Sequence, residues 1–239
     1  MLDGSDGPTA MKSQAVVVFS GGQDSTTALF WALDQFEEVL AISFQYGQRH
    51  AVELQQAERI AQKAGTPWRL IDLRGLLGDS ALTDSSRDID ARHPRNTSLP
   101  ASFVPGRNLL FLSVAGSYAY SHGIEDLVAG MCQADYSGYP DCRRSFIDVA
   151  EEALSAAMEP ARFRIHTPIM DLDKGDTFKL ASDLGVLDLI LEETHTDYNG
   201  DRSMRHPWGY GQLDNEASRL RARGWDDFCQ RYPDLVPAE

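Results

Sequence analysis

A doubly wound α/β fold with a parallel sheet is the architecture this sequence predicts, and three observations predict it. Ala15–Phe19 and Val39–Phe44 are short apolar runs without alternation, the pattern of strands covered on both faces. Segments of helical period lie between and after them, so strand and helix alternate as βαβ units do. A double-glycine turn follows the first run directly, at the carboxyl edge where open α/β sheets hold their ligands.

Each element has its own signal. Residues 1–12 hold Gly, Asp and Pro with almost nothing to bury, and are expected to form a flexible leader. The α/β domain is expected over 13–190 and a small C-terminal subdomain over 191–239. Thr26–Leu33 reads as the first helix. Ala51–Ala64 places Leu54, Ala57, Ile60, Ala61 and Ala64 on one helical face, Gly65-Thr66-Pro67 ends it, and Trp68–Leu73 returns to strand. Asp79–Ala101 is polar, contains Pro94 and Pro100 and shows no period. A loop of that length in a compact domain reads as a functional lid, with disorder as the alternative. Leu109–Tyr120 reads as a strongly apolar helix, Asp126–Gly130 as a short strand and Ser145–Met158 as an amphipathic helix. Arg164–Pro168 is the last strand and Thr177–Leu184 a helix. Beyond Glu192 the chain turns polar and glycine-rich, and Asn215–Arg223 closes it as a helix.

Composition narrows the function classes. The 239 residues are 42% hydrophobic and 24% charged, ordinary globular usage that excludes general disorder. A formal net charge of −14 leaves little basic surface for duplex nucleic acid or an anionic membrane. A small anionic ligand remains compatible, since it needs only a nest of N–H donors and one or two cations. Three cysteines, Cys132, Cys142 and Cys229, are too few and too scattered for a disulfide framework or a four-thiolate metal site. No apolar run reaches the ~18 residues of a membrane helix, and a cytoplasmic enzyme is expected.

The sharpest motif is Ser20-Gly21-Gly22-Gln23-Asp24-Ser25-Thr26, between the first strand and the first helix. Its glycines let N–H groups crowd into a nest, its hydroxyls add donors, and the helix N-terminus adds positive dipole. That combination is built for phosphate. It matches neither GxxxxGK[ST] nor GxGxxG. The expected nucleotide-binding stretch is Phe19, Ser20, Gly21, Gly22, Gln23, Asp24, Ser25, Thr26, Thr27, Ala28 and Leu29.

SGGxDS resembles the pyrophosphatase loop of ATP-cleaving ligases that adenylate a carbonyl or carboxyl oxygen. Four further segments narrow the resemblance: Gln45-Tyr46-Gly47-Gln48-Arg49-His50 with Glu53 after it, Val104-Pro105-Gly106-Arg107-Asn108, Asp135 through Arg143, and Thr167-Pro168-Ile169-Met170 through Lys174. With SGGQDSTT they resemble the 7-cyano-7-deazaguanine synthases, from about Val16 to Tyr198. The resemblance implies a PP-loop, Rossmann-like architecture. It also implies a reaction, in which 7-carboxy-7-deazaguanine, ammonia and ATP give 7-cyano-7-deazaguanine by way of an adenylated acid and an adenylated amide. Implied cofactors are ATP and Mg²⁺, and the implied assembly is a homodimer. Asp24 is expected near Mg²⁺, with Arg107 and Lys174 on developing phosphate charge. Gln45, Tyr46, Arg49, Asn108, Asp135, Tyr139, Asp141 and Arg143, together with Arg107, are expected around the substrate. His50 and His166 have no metal partner at a recognisable spacing and are expected to be structural or substrate-lining. The competing reading is a paralogue that adenylates the same or a similar acid and passes it to another amine, such as one on a protein.

The chain departs from this family at one place. The family carries four zinc-binding cysteines near the C-terminus, and the matching positions here read Asp197, Gln212, Asn215 and Ser218. One carboxylate, two amides and a hydroxyl make a poor zinc set, so zinc is not expected and a polar network is expected in its place, with a His–Asp site through the nearby His195 and His206 as the alternative.

Overall fold

The computed structural model describes residues 13–48, 52–77, 92–93, 96–133, 139–196 and 201–237. The leader and most of the segment expected to be a lid lie outside these residues, as do Arg49, His50, Asp135 and Asp197.

Five parallel strands form the central sheet: β1 (Gln14–Val18), β2 (Glu38–Gln45), β3 (Trp68–Asp72), β6 (Asp126–Ala129) and β7 (Arg164–His166), in the order β3-β2-β1-β6-β7. The chain runs outward from β1 through β2 to β3 and then returns to the other side of β1. The order therefore reverses between β1 and β6, the switch point beyond whose carboxyl ends open α/β sheets hold their ligands.

Period-two alternation decides which side of the sheet each residue covers. Ala15, Val17 and Phe19 of β1 and its exit pack with Ala28, Leu29 and Ala32 of α1 (Gln23–Gln35) and with Ala57, Ile60 and Ala61 of α2 (Val52–Lys63). Val16 points the other way, into a cluster with Leu112, Ala115 and Ala119 of α3 (Arg107–Ser121) and Ile147, Ala150 and Leu154 of α4 (Arg144–Ala157). Both sheet faces are thus covered, which is why β1 reads as an unbroken apolar run.

A third cluster joins α5 (Lys174–Asp183) and α6 (Leu187–Glu193) to α7 (Glu216–Arg231), through Phe178, Ile190, Leu191, Trp208, Trp225 and Phe228. The C-terminal segment is therefore bonded to the body by apolar packing on both sides of residue 190. Among the described residues no helix is long and apolar enough to cross a membrane.

The structure differs from the sequence expectations in four places. The described end of the expected loop 79–101 contains a short antiparallel ladder, β4 (Arg92–His93) with β5 (Asn96–Pro100). Helix α6 was not foreseen, and neither was the two-residue hairpin of β8 (Arg205–His206) and β9 (Gly209–Tyr210). Helix α7 runs eight residues beyond Arg223, because Trp225 and Phe228 continue its buried face to Arg231.

Candidate active site

The phosphate loop leaves β1 at Phe19 and enters α1 at Gln23. Gly21 has φ 84°, and a Cβ there would meet the Ala57 amide nitrogen at 2.8 Å and the Glu53 carbonyl at 2.9 Å. Only glycine lets the loop turn this tightly against α2. The loop is tied internally. The Ser20 N–H donates to Ser25 Oγ at 3.1 Å, and Ser25 Oγ donates to the Gly22 carbonyl at 3.3 Å. Gly22 occupies the N-cap position of α1 with no side-chain cap, so the N–H groups of the first turn are left for a ligand.

Asp24 and Lys174, which lie 150 residues apart, meet over this loop: Lys174 Nζ donates to Asp24 Oδ2 at 2.6 Å. The other carboxylate oxygen, Oδ1, is buried and has no partner among the described residues. Both polar ends of the buried Gln23 amide and the Thr26 hydroxyl are in the same condition. Unsatisfied buried polar atoms are uncommon, and a cluster of them in one turn suits a polar ligand. Asp24 Oδ1 suits a hard cation such as Mg²⁺, which takes oxygen donors and shares them with phosphate.

A second group sits at the exits of β2 and the start of α3. Arg107, the first residue of α3, lies with its guanidinium carbon 5.9 Å from the Tyr46 ring centre. Burial opposes its charge, but Tyr46, Tyr139, Asp141 and Cys142 hold it above its ordinary value, and it stays a cation. Burial pushes the Tyr46 phenol up, with Arg107 opposing the shift. Burial likewise pushes the Glu53 carboxyl up against the pull of Arg107. The Asp141 carboxyl is raised by burial too, although the Asn108 N–H donates to its Oδ2 at 3.2 Å. Asn108 Nδ2 donates to the Asp141 carbonyl at 3.0 Å and to Cys142 Sγ at 3.4 Å. Tyr139 is buried, with its hydroxyl 2.7 Å from Ser102 Oγ. Gln45 ends β2, half-buried, and its carbonyl accepts from the Leu73 N–H at 2.7 Å. Arg143 is exposed at the start of α4.

A family model described as Queuosine biosynthesis protein QueC matches residues 14–228. The chain belongs to the QueC family. Relatives of high similarity are named 7-cyano-7-deazaguanine synthase. That of Wolinella succinogenes is 48% identical over 225 residues, covering 92% of this chain and 96% of its own. That of Bacteroides fragilis is 52% identical over 219 residues, 91% of this chain and 96% of its own. That of Paraburkholderia phymatum is 45% identical over 240 residues, 95% of this chain and 98% of its own.

At the expected zinc positions of the QueC family, the described donors are engaged with protein partners. Asn215 Oδ1 caps α7 by accepting from the Ser218 N–H at 3.0 Å, and both residues are buried. Gln212 Nε2 donates to Asp201 Oδ2 at 2.9 Å. An amide oxygen spent on a helix cap, an amide nitrogen and a hydroxyl do not fit zinc.

Some of what shapes the site escaped the sequence reading. Gly130, just past β6, is one such residue, because a Cβ there would overlap the backbone of Asp24 and Ser25 at 2.7 Å. His195 is another: its N–H reaches the Gly21 carbonyl at 3.4 Å, so the segment after α6 touches the phosphate loop. His166, by contrast, takes a structural place, with Nε2 2.7 Å from Asp126 Oδ1.

Proposed function

We propose that this member of the QueC family makes 7-cyano-7-deazaguanine from 7-carboxy-7-deazaguanine, ammonia and ATP. The observation that carries the reading is the Asp24–Lys174 pair at 2.6 Å over the SGGQDS turn, with Asp24 Oδ1 buried and without a partner among the described residues. A carboxylate oxygen is too poor a leaving group for ammonia to displace. The acid oxygen attacks the α-phosphorus of ATP, pyrophosphate leaves, and the resulting acyl adenylate reacts with ammonia to give the amide and AMP. The amide oxygen then attacks a second ATP and again releases pyrophosphate. Loss of AMP and a proton from that adduct leaves the nitrile.

The chain's residues position the reactants and stabilise charge. The first-turn N–H groups of α1 and the hydroxyls of Ser20 and Ser25 hold pyrophosphate. Lys174 offsets charge on the phosphates while Asp24 fixes its ammonium. Asp24 would hold a Mg²⁺ that accompanies ATP, and the cation would supply further positive charge near the phosphates. Arg107 takes the substrate carboxylate, beside Tyr46, and Asp141 with Tyr139 and Asn108 faces the amine edge of the deazapurine. Gln45, Arg49, Asp135 and Arg143 are proposed as further substrate-binding residues. Nothing observed favours transfer of the acid to a different amine.

Incubation with ATP, ammonium and 7-carboxy-7-deazaguanine tests the reading. Nitrile product with two AMP and two pyrophosphate per turnover is expected. An amide or protein-linked end product, or no AMP release, overturns it.

A further inference from the structure

Helix α7 carries a glycine in its interior, Gly224, where any residue but proline favours the helix more. The reason is spatial. A Cβ on Gly224 would overlap the Lys174 Cβ and press on the Lys174 carbonyl carbon at 3.1 Å and Cα at 3.2 Å. The root of a side chain and its backbone cannot swing aside, so α7 lies against Lys174 only because residue 224 has no side chain.

The same helix grips the turn that begins with Lys174. Arg231 NH2 donates to Asp173 Oδ1 at 2.6 Å and its NH1 donates to Asp176 Oδ1 at 2.9 Å. Asp173 is the N-cap of α5, accepting from the Asp176 N–H at 2.8 Å, and Lys174 is the next residue. The height of α7 is fixed by Arg221, a fully buried guanidinium. It donates to the Trp208 carbonyl at 2.8 Å, Thr194 Oγ1 at 2.7 Å, Thr196 Oγ1 at 2.8 Å and the Ile190 carbonyl at 2.9 Å.

We propose that α7 positions Lys174 for the reaction, with Gly224 and Arg231 as positioning residues that hold its ammonium on Asp24. This rests on the reading of Lys174 as the cation that offsets phosphate charge. A shift of even an ångström in such a group costs roughly 100-fold in rate.

Steady-state AMP formation tests the idea in Gly224→Ala, Arg231→Met, Arg231→Lys, Lys174→Ala and the double variant Lys174→Ala/Gly224→Ala, with Arg223→Ala as a surface control. Gly224→Ala should lose at least ~10-fold in kcat while KM for ATP stays within ~3-fold, because the lost effect is one of placement. Arg231→Met should lose a few-fold in kcat and Arg231→Lys recover most of it. The double variant should be no slower than Lys174→Ala alone, since both changes act through one ammonium. Unchanged kcat in Gly224→Ala, or losses that multiply in the double variant, overturn the proposal. If Gly224→Ala does not fold, the exposed Arg231 decides: unchanged kcat in folded Arg231→Met overturns it. Full activity in Lys174→Ala is a separate failure, that of the role given to Lys174 itself.

Discussion

A single carboxylate in the phosphate loop serves two directions. Asp24 Oδ2 accepts from Lys174 at 2.6 Å, and Oδ1 is buried with no partner among the described residues. A buried oxygen without a partner is unfavourable, and a bound cation or ligand would satisfy it. Asp24→Ala is therefore expected to lower AMP formation by at least ~100-fold, the scale of removing one charge-stabilising group. Asp24→Asn, which keeps the shape and loses the charge, should fold and stay comparably slow. Near-normal turnover in either variant would remove Asp24 from the chemistry. Cys142 gives the opposite expectation. Its sulfur accepts from Asn108 Nδ2 at 3.4 Å, a packing contact beside Asp141, and an adenylate route needs no thiolate. Cys142→Ser should retain turnover within ~3-fold, since the serine hydroxyl can accept the same N–H in nearly the same volume. A folded, substrate-binding but inactive Cys142→Ser would point to a thioester step instead. At this scale Asp24 and Arg107 are legible in the sequence because glycine-rich turns precede them. Arg221 is not, because an arginine on a polar helix reads as solvated until the fold buries it.

Elements were legible in proportion to their length and period. Strand β1 and helices α1 to α4 announce themselves, since covered strands are unbroken apolar runs and long helices repeat their apolar face. The seven-residue α6 and the two-residue strands β8 and β9 are too short to show a period, and packing alone creates them. Pairing between elements adds a pH dependence that no period reveals. Asp126 at the start of β6 accepts both Arg164 nitrogens at 2.9 Å and sits 2.7 Å from His166 Nε2. Burial alone would raise its carboxyl, but hydrogen bonds from Arg164 and His166 hold it below the usual range. A depressed native value means that the folded state prefers the carboxylate. Its contribution is fully present above the ordinary aspartate value of about 4 and is lost as pH falls through the lower native one. Urea titrations from pH 7 to pH 3 should show the wild type losing this stability over that lower window. Asp126→Asn should be less stable at pH 7 and lose less on acidification, and parallel curves for the two proteins would contradict the argument.

Across the whole molecule, apolar packing and a buried arginine hold the C-terminal segment to the α/β body. Phe178, Ile190, Trp208, Trp225 and Phe228 form a shared apolar cluster, while Arg221 binds four oxygens, one from Ile190 within α6, two from Thr194 and Thr196 just after it and one from Trp208. Asn215 caps α7 where a cysteine is expected in the family, and Gln212 bonds Asp201. Burial pushes the Arg221 guanidinium down to about 9, which still leaves it charged at neutral pH, and its oxygen partners stabilise that charge. None of these contacts needs a metal, and none of the donors at the described positions is a thiolate or an imidazole. Purified protein is therefore expected to carry far less than one zinc per chain, and its melting temperature should not move with EDTA. Asn215→Ala should instead lower the melting temperature by about 2–4 °C, because an N-cap contributes about 1 kcal/mol to a domain of this size. Restoring cysteine at 197, 212, 215 and 218 should create a zinc-dependent rise in melting temperature where the original protein shows none. Stoichiometric zinc in the unaltered protein, lost together with activity on chelation, would show that metal and not this polar and apolar brace holds α7 against Lys174.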